Sequence, residues 1–233
     1  MMKFHPAILL LMISLVLAAC SNDPSAPQGR LSTQQLYCNY TISAEEGKPN
    51  VTCKFEFSTD KQSIRTLLLD SGSRVELDGK EVPADSSRYN GAYYEQSLPM
   101  QDFTGKHQVR LIGSDGEVFE EDFEFLPFQL AQNLDSIIQR KPFDLVLENS
   151  PADDQELQLI LVDTSFNSPD VNEPVWPQDG RIRVTEDMLR RLANGPIILE
   201  IHMEKASPLK HPTEAGGRLT IYYSLKREFE LVN

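Results

Sequence analysis

The segment Val118-Phe119-Glu120-Glu121-Asp122-Phe123-Glu124-Phe125 constrains the fold more than any other stretch of the chain. Alternate residues of a strand point to opposite faces, so as a strand it sets Phe119, Phe123 and Phe125 on one side. Glu120, Asp122 and Glu124 fall on the other, a sorting that a helical period of 3.6 does not produce. The same period of two recurs along the chain, broken at short intervals by turn residues. In the first half it predicts strands at 36–42, 51–58, 64–69, 74–77, 92–96, 107–112 and 118–125. Asp78-Gly79 lies between Val75-Glu76-Leu77 and Lys80-Glu81-Val82. This is the signature of a type I′ hairpin, whose two central residues need positive φ. Ser114-Asp115-Gly116 marks a second turn between two strands.

Leu126-Pro127 interrupts the pattern, and the theme then resumes at 143–148, 157–162, 181–184, 197–203 and 218–231. One segment differs. Thr185 offers a hydroxyl cap, Glu186 and Asp187 occupy a first turn, arginines follow, and Gly195-Pro196 closes. These are matched helix signals. The fold class is therefore mainly β. The spacing suggests tandem immunoglobulin-like β-sandwiches over 35–127 and 128–233, with one short helix in the second. One continuous β-rich domain is the alternative. A short helix crossing between sheets is common in immunoglobulin-like domains of bacterial surface lipoproteins, which the second half resembles.

At the N-terminus Lys3 precedes an apolar run, Ala7 to Leu17, of signal-peptide length. Spanning a bilayer takes about 20 apolar residues, and this run is shorter. It ends in Leu17-Ala18-Ala19-Cys20, which resembles the lipobox of bacterial lipoproteins. The resemblance implies cleavage of residues 1–19, lipidation of Cys20, and membrane lipid as a partner. Ser21 resembles the residue that lets such proteins reach the outer membrane, with the periplasmic face expected; the inner membrane is the alternative. Residues 20–34 carry Pro24, Pro27 and Gly29 without apolar periodicity, and read as a flexible tether. With Cys20 used, Cys38 and Cys53 are left as an even pair in an exported chain, expected to form a disulfide of about 3 kcal/mol. No CxxC spacing favours metal or redox use.

The chain carries a formal charge of −13, and removing the leader takes away Lys3 but no acid. Such a surface repels nucleic acid and anionic headgroups, and neither is an expected partner. The carboxylates of Glu120, Asp122 and Glu124 stand about 7 Å apart along one strand face, too far to share one calcium ion. Asp153-Asp154-Gln155-Glu156 does not match a calcium-loop pattern. No metal site and no cofactor is expected. Binding candidates are the aromatic and histidine residues placed on strand faces and in loops. They are Tyr93 and Tyr94, of which one ring faces out; Trp176 between Pro174 and Pro177; and His202 with Tyr222 on two strands expected to pair. His211 in the intervening loop is a possible companion. No catalytic residue is assigned, since nucleophile-elbow, zinc-protease, P-loop and dinucleotide motifs are missing from the sequence. The sequence thus points to a non-enzymatic accessory that binds an envelope protein or glycan. The alternatives are a hydrolase of envelope polysaccharide using a carboxylate pair, and a passive spacer.

Overall fold

The computed structural model describes residues 32–87 and 91–233. The leader, Cys20, most of the tether and residues 88–90 lie outside them. The folded chain starts at Ser32, whose backbone N–H donates to the Gln35 side chain (3.2 Å) across a 3₁₀ turn at Thr33–Gln35. Thr33 is buried, so the fold takes in three residues, 32–34, assigned above to the tether.

The class is mainly β, in sandwich-like sheets, as the alternation predicts. The strands are β1 (Tyr37–Glu45), β2 (Asn50–Ser58), β3 (Arg74–Leu77), β4 (Lys80–Glu81), β5 (Ala84–Ser87), β6 (Gly91–Pro99), β7 (Gly105–Ile112) and β8 (Val118–Phe125). After the Leu126-Pro127 break come β9 (Gln129–Leu130), β10 (Ile137–Gln139), β11 (Phe143–Glu148), β12 (Leu157–Asp163), β13 (Val171–Val175), β14 (Arg181–Val184), β15 (Gly195–Pro208) and β16 (Gly217–Val232). The α-helix α1 is Glu186–Arg190, and Thr185 caps it by accepting from the Met188 amide at 3.2 Å. It is shorter than the capping signals allow, because Arg191 to Asn194 turn away to start β15.

Strands of both halves build one large sheet in the order β13-β12-β15-β16-β1-β2-β6-β5. Its hub is β16. The first half of β16 pairs in parallel with β1 (Cys38 opposite Gly217 through Glu45 opposite Ser224), and its last residues pair in parallel with β10. Between those partners Arg227 forks onto both carboxylate oxygens of Glu46, which also donates its N–H to the Ser224 carbonyl at 2.8 Å. Two smaller sheets, β4-β3-β7-β8 and β14-β11-β9, cover the large one. The layers meet through aromatic side chains. Phe125 and Phe128 stand edge-on to Tyr223, at centroid distances of 6.2 and 4.9 Å, and Phe143 meets Phe229 at 6.5 Å. Sheet faces that alternate in this way bury one set of side chains and leave the other in water.

Asp78 and Gly79 have φ of 53° and 75°, as the type I′ hairpin requires. Three expectations change. The segment 64–69 is not a strand: Ile64 and Leu68 are exposed, and only Thr66 makes a bridge, to Gly91. Its three consecutive leucines gave a β-like reading without alternation. β13 was missed because Pro174 lies in it, which an edge strand tolerates.

Cys38 and Cys53 are free thiols, not a disulfide. They lie on neighbouring antiparallel strands and on the same buried face, but Cys38 is opposite Phe57 while Cys53 is opposite Ile42. Four residues of offset separate them by about 13 Å along the strands, whereas a disulfide needs Cα atoms within about 7 Å. Burial pushes both thiols up to about 12, with the Asp78 charge adding to the effect at Cys53.

Candidate binding site on the open sheet face

The large sheet has one face in the core and one in solvent, and the solvent face follows directly from the alternation in β15 and β16. Ile197, Leu199, Ile201 and Met203 point inward, as do Leu219, Ile221, Tyr223 and Leu225. The residues between them must point out. The register sets Gln158 and Ser224 opposite His202 on its two sides, and Glu204 opposite Tyr222. The expected pairing of the His202 and Tyr222 strands is therefore what the hairpin makes.

These side chains line an open groove of about 700 Å³, floored by β12, β15 and β16 and bordered by Ala44 of β1 and Gln155 of the preceding loop. His202 Nε2 lies 2.8 Å from Glu200 Oε2. Tyr222 is 38% exposed. Its partial burial and the adjoining Glu204 carboxylate raise its pKa, with Arg218 opposing, so the ring carries a neutral hydroxyl at physiological pH. Gln155 is held over the groove rim, its amide donating to the Glu204 carbonyl at 3.2 Å. Gln158 donates to the Asn172 side chain on β13. The groove thus offers an aromatic face, an imidazole, carboxylates and side-chain amides within one strand-to-strand span. It can exchange many hydrogen bonds with a polar ligand while covering an apolar patch of it.

The other aromatic candidates are not part of this groove. Tyr94 is buried on the inner face of β6, edge-on to Phe57, and its hydroxyl accepts from the Leu69 amide at 3.0 Å. It is a core residue. Tyr93, its neighbour on the outer face, donates to Asp85 (3.2 Å), and Lys54 Nζ stands 4.9 Å from its ring centre. Trp176 is 47% exposed at the end of edge strand β13. Six strand steps separate β13 from β6, about 29 Å, so these two rings cannot share a small ligand with each other. His211 lies in the hairpin loop beyond the end of β15, which alone carries the chain about 20 Å from His202, and does not join it. Gln155 and Gln158 were missed by sequence reasoning; Gln158 was discoverable, because the period of two in Leu157 to Val162 places it outside.

Two buried carboxylates were also invisible to the pattern. Glu121 shares the inner face of β8 with Phe123 and accepts the Lys210 N–H at 2.7 Å, which fastens the β15–β16 hairpin to the first half. Asp163 ends β12 and accepts from the Ser165 and Asn167 amides and the Ser168 hydroxyl, each at 2.9 Å. Burial opposes its charged form, but these donors outweigh burial and hold its pKa below the ordinary carboxylate value. Glu120, Asp122 and Glu124 all face solvent; Glu120 pairs with Arg110, and Asp122 accepts from Gln108.

Fold and groove define the class: a mainly β protein whose sandwich-like layers share one sheet, with a polar and aromatic groove on its open face. No protein-family model matches the chain, and no curated protein matches it. Among solved structures it is similar to a crystal structure of DIP-gamma IG1+IG2, at 8% identity over 80% of this chain and 94% of that one, with a TM-score of 0.23.

Proposed function

We propose that the chain is a non-enzymatic lipoprotein of the bacterial cell envelope, anchored through Cys20, that binds an envelope glycan or protein across the open face of its large sheet. The observation that carries the binding reading is the groove at His202 and Tyr222. Its mixture of an exposed phenol ring with imidazole, carboxylate and amide groups suits a ligand rich in hydroxyls. The lipobox resemblance supports the address, and the acidic surface suits a protein beside a crowded membrane rather than one that seeks anionic polymers. The outer membrane, facing the periplasm, is the expected site.

The test is titration of the full chain with soluble peptidoglycan and polysaccharide fragments, read by calorimetry. Parallel photo-crosslinking in cells from position 224, which lines the same groove, captures a protein ligand. Tyr222→Ala and His202→Ala are expected to abolish either signal. Binding or crosslinking that survives both substitutions retires the groove. Release of reducing sugar from the fragments would favour the hydrolase reading instead.

A further inference from the structure

The loop 59–73 joins β2 to β3 and has fifteen residues without regular structure, a length usually reserved for functional loops. It is pinned at both ends. Asp60 accepts the Gln62 amide at 2.8 Å, and the Leu67 amide donates to the Phe57 carbonyl at 2.7 Å. Further on, the Leu69 amide reaches Tyr94, and Ser73 with Ser114 grips Asp70. Yet this pinned loop holds out Ile64 at 90% exposure and Leu68 at 65%. Lys61 and Arg65 flank them, both exposed, and neither forms an ion pair among the described residues. Asp60 and Asp70 accept hydrogen bonds from the loop and from Ser114 and balance the charges of Lys61 and Arg65, so the loop is apolar and formally neutral on an acidic protein.

The position of this loop names its occupant. Tyr37 lies opposite Ser58, so β2 leads into the loop at the end of the sheet where β1 starts. Gln34 donates to Glu117 at 2.8 Å in the adjacent β7–β8 turn, the turn whose Ser114 also holds the loop. The folded chain therefore begins beside the loop. Cys20 lies twelve residues before Ser32, a contour of at most about 40 Å. We infer that Ile64 and Leu68 enter the interfacial region of the bilayer that carries the Cys20 anchor, with Lys61 and Arg65 at its phosphate groups. This rests on the anchor reading. The lipid anchor holds the chain at the bilayer but leaves the folded body free on its tether, and a second contact from that body turns a tethered domain into a docked one.

The experiment uses the full lipidated chain in vesicles of phosphatidylethanolamine and phosphatidylglycerol. Ile64→Cys, Leu68→Cys or, as a control at the opposite end of the large sheet, Asp170→Cys is labelled with a polarity-sensitive fluorophore. Cys38 and Cys53 stay unlabelled because they are buried. A blue shift and quenching by brominated acyl chains at 64 and 68, with neither at 170, is the expected result. Equal signals at all three positions, or no quenching at 64 and 68 on vesicle-bound protein, overturn the docking; the latter leaves the loop as a protein contact. The anchor is read separately by flotation: Cys20→Ala chain floating as the parent does rejects the anchor, and leaves the comparison of 64 with 170 unaffected.

Discussion

Phe128→Ala tests the shared sheet most directly. Phe128 is fully buried and stands 4.9 Å from Tyr223, on the strand that pairs with both halves. Truncating a buried phenylalanine costs about 3–5 kcal/mol, the ring's transfer energy plus the cavity it leaves. In a unit spanning Ser32–Asn233, each kcal/mol moves the midpoint by about 2–4 °C, so Tm should fall by roughly 6–20 °C. The informative part is where the loss is felt. The sole tryptophan, Trp176, reports on the second half. In a chain carrying Cys20→Ala, thiol labelling of Cys38 and Cys53 reports on the first. Both thiols are buried, with pKa values pushed up to about 12, so neutral-pH labelling requires opening. If β16 welds the halves, tryptophan fluorescence and thiol release shift together. A shift in fluorescence with unchanged thiol release would refute the weld and leave two sandwiches that unfold separately.

Gly217→Ala should destabilise by about 1–3 kcal/mol, because a Cβ there meets Leu209 Cδ1 at 2.5 Å and the Cys38 carbonyl at 2.7 Å; urea titration measures it. Tyr94→Phe strips the buried Leu69 amide of its acceptor and should cost about 1–3 kcal/mol while leaving ligand binding intact. Tyr222→Ala should do the reverse, changing stability by under about 0.5 kcal/mol and removing binding. Asp163 has a folded pKa below its unfolded value near 3.8, so its contribution is present above that pH and lost as pH falls through the folded value. Asp163→Asn should therefore flatten the acid limb of a stability-against-pH curve below about pH 4. An unchanged limb would mean that the loop 164–168 does not depend on the charge.

Much of the secondary structure was legible because period two is a local property. Val51, Cys53, Phe55 and Phe57 are all buried, as their spacing states, and the Asp78-Gly79 turn needs only two residues to be read. His202 and Tyr222 were legible as a pair for the same reason, since a hairpin joins neighbouring strands. The run at 64–69 failed because apolar content without alternation does not separate a strand from a loop that presents leucines. Cys38 and Cys53 failed because pairing two cysteines requires the register, and register is set by the whole β1–β2 turn. Gly47, at φ 79°, shapes that turn and places Ile42, not Cys38, opposite Cys53.

The parallel contact of β1 with β16 was beyond any local signal, since its partners are about 180 residues apart in sequence. Parallel pairing leaves no hairpin turn to read, and each strand alternates as it would beside any neighbour. What the sequence does contain is an excess of length. A run from Gly217 to Val232 is sixteen residues, far beyond the five or six of an ordinary strand. A single sandwich has no need of so long a strand, whereas a sheet that must pass β1 and then β10 on one edge does. The same length carries the hairpin tip to Glu121 and Leu36, where Lys210 and Thr213 bond to them, and so binds the second half to the place where the folded chain begins. A force or a ligand acting on the open face near Tyr222 is thus applied to the strand that holds both halves together. Binding at the groove should therefore protect Cys38 and Cys53, in the first half, as well as the second.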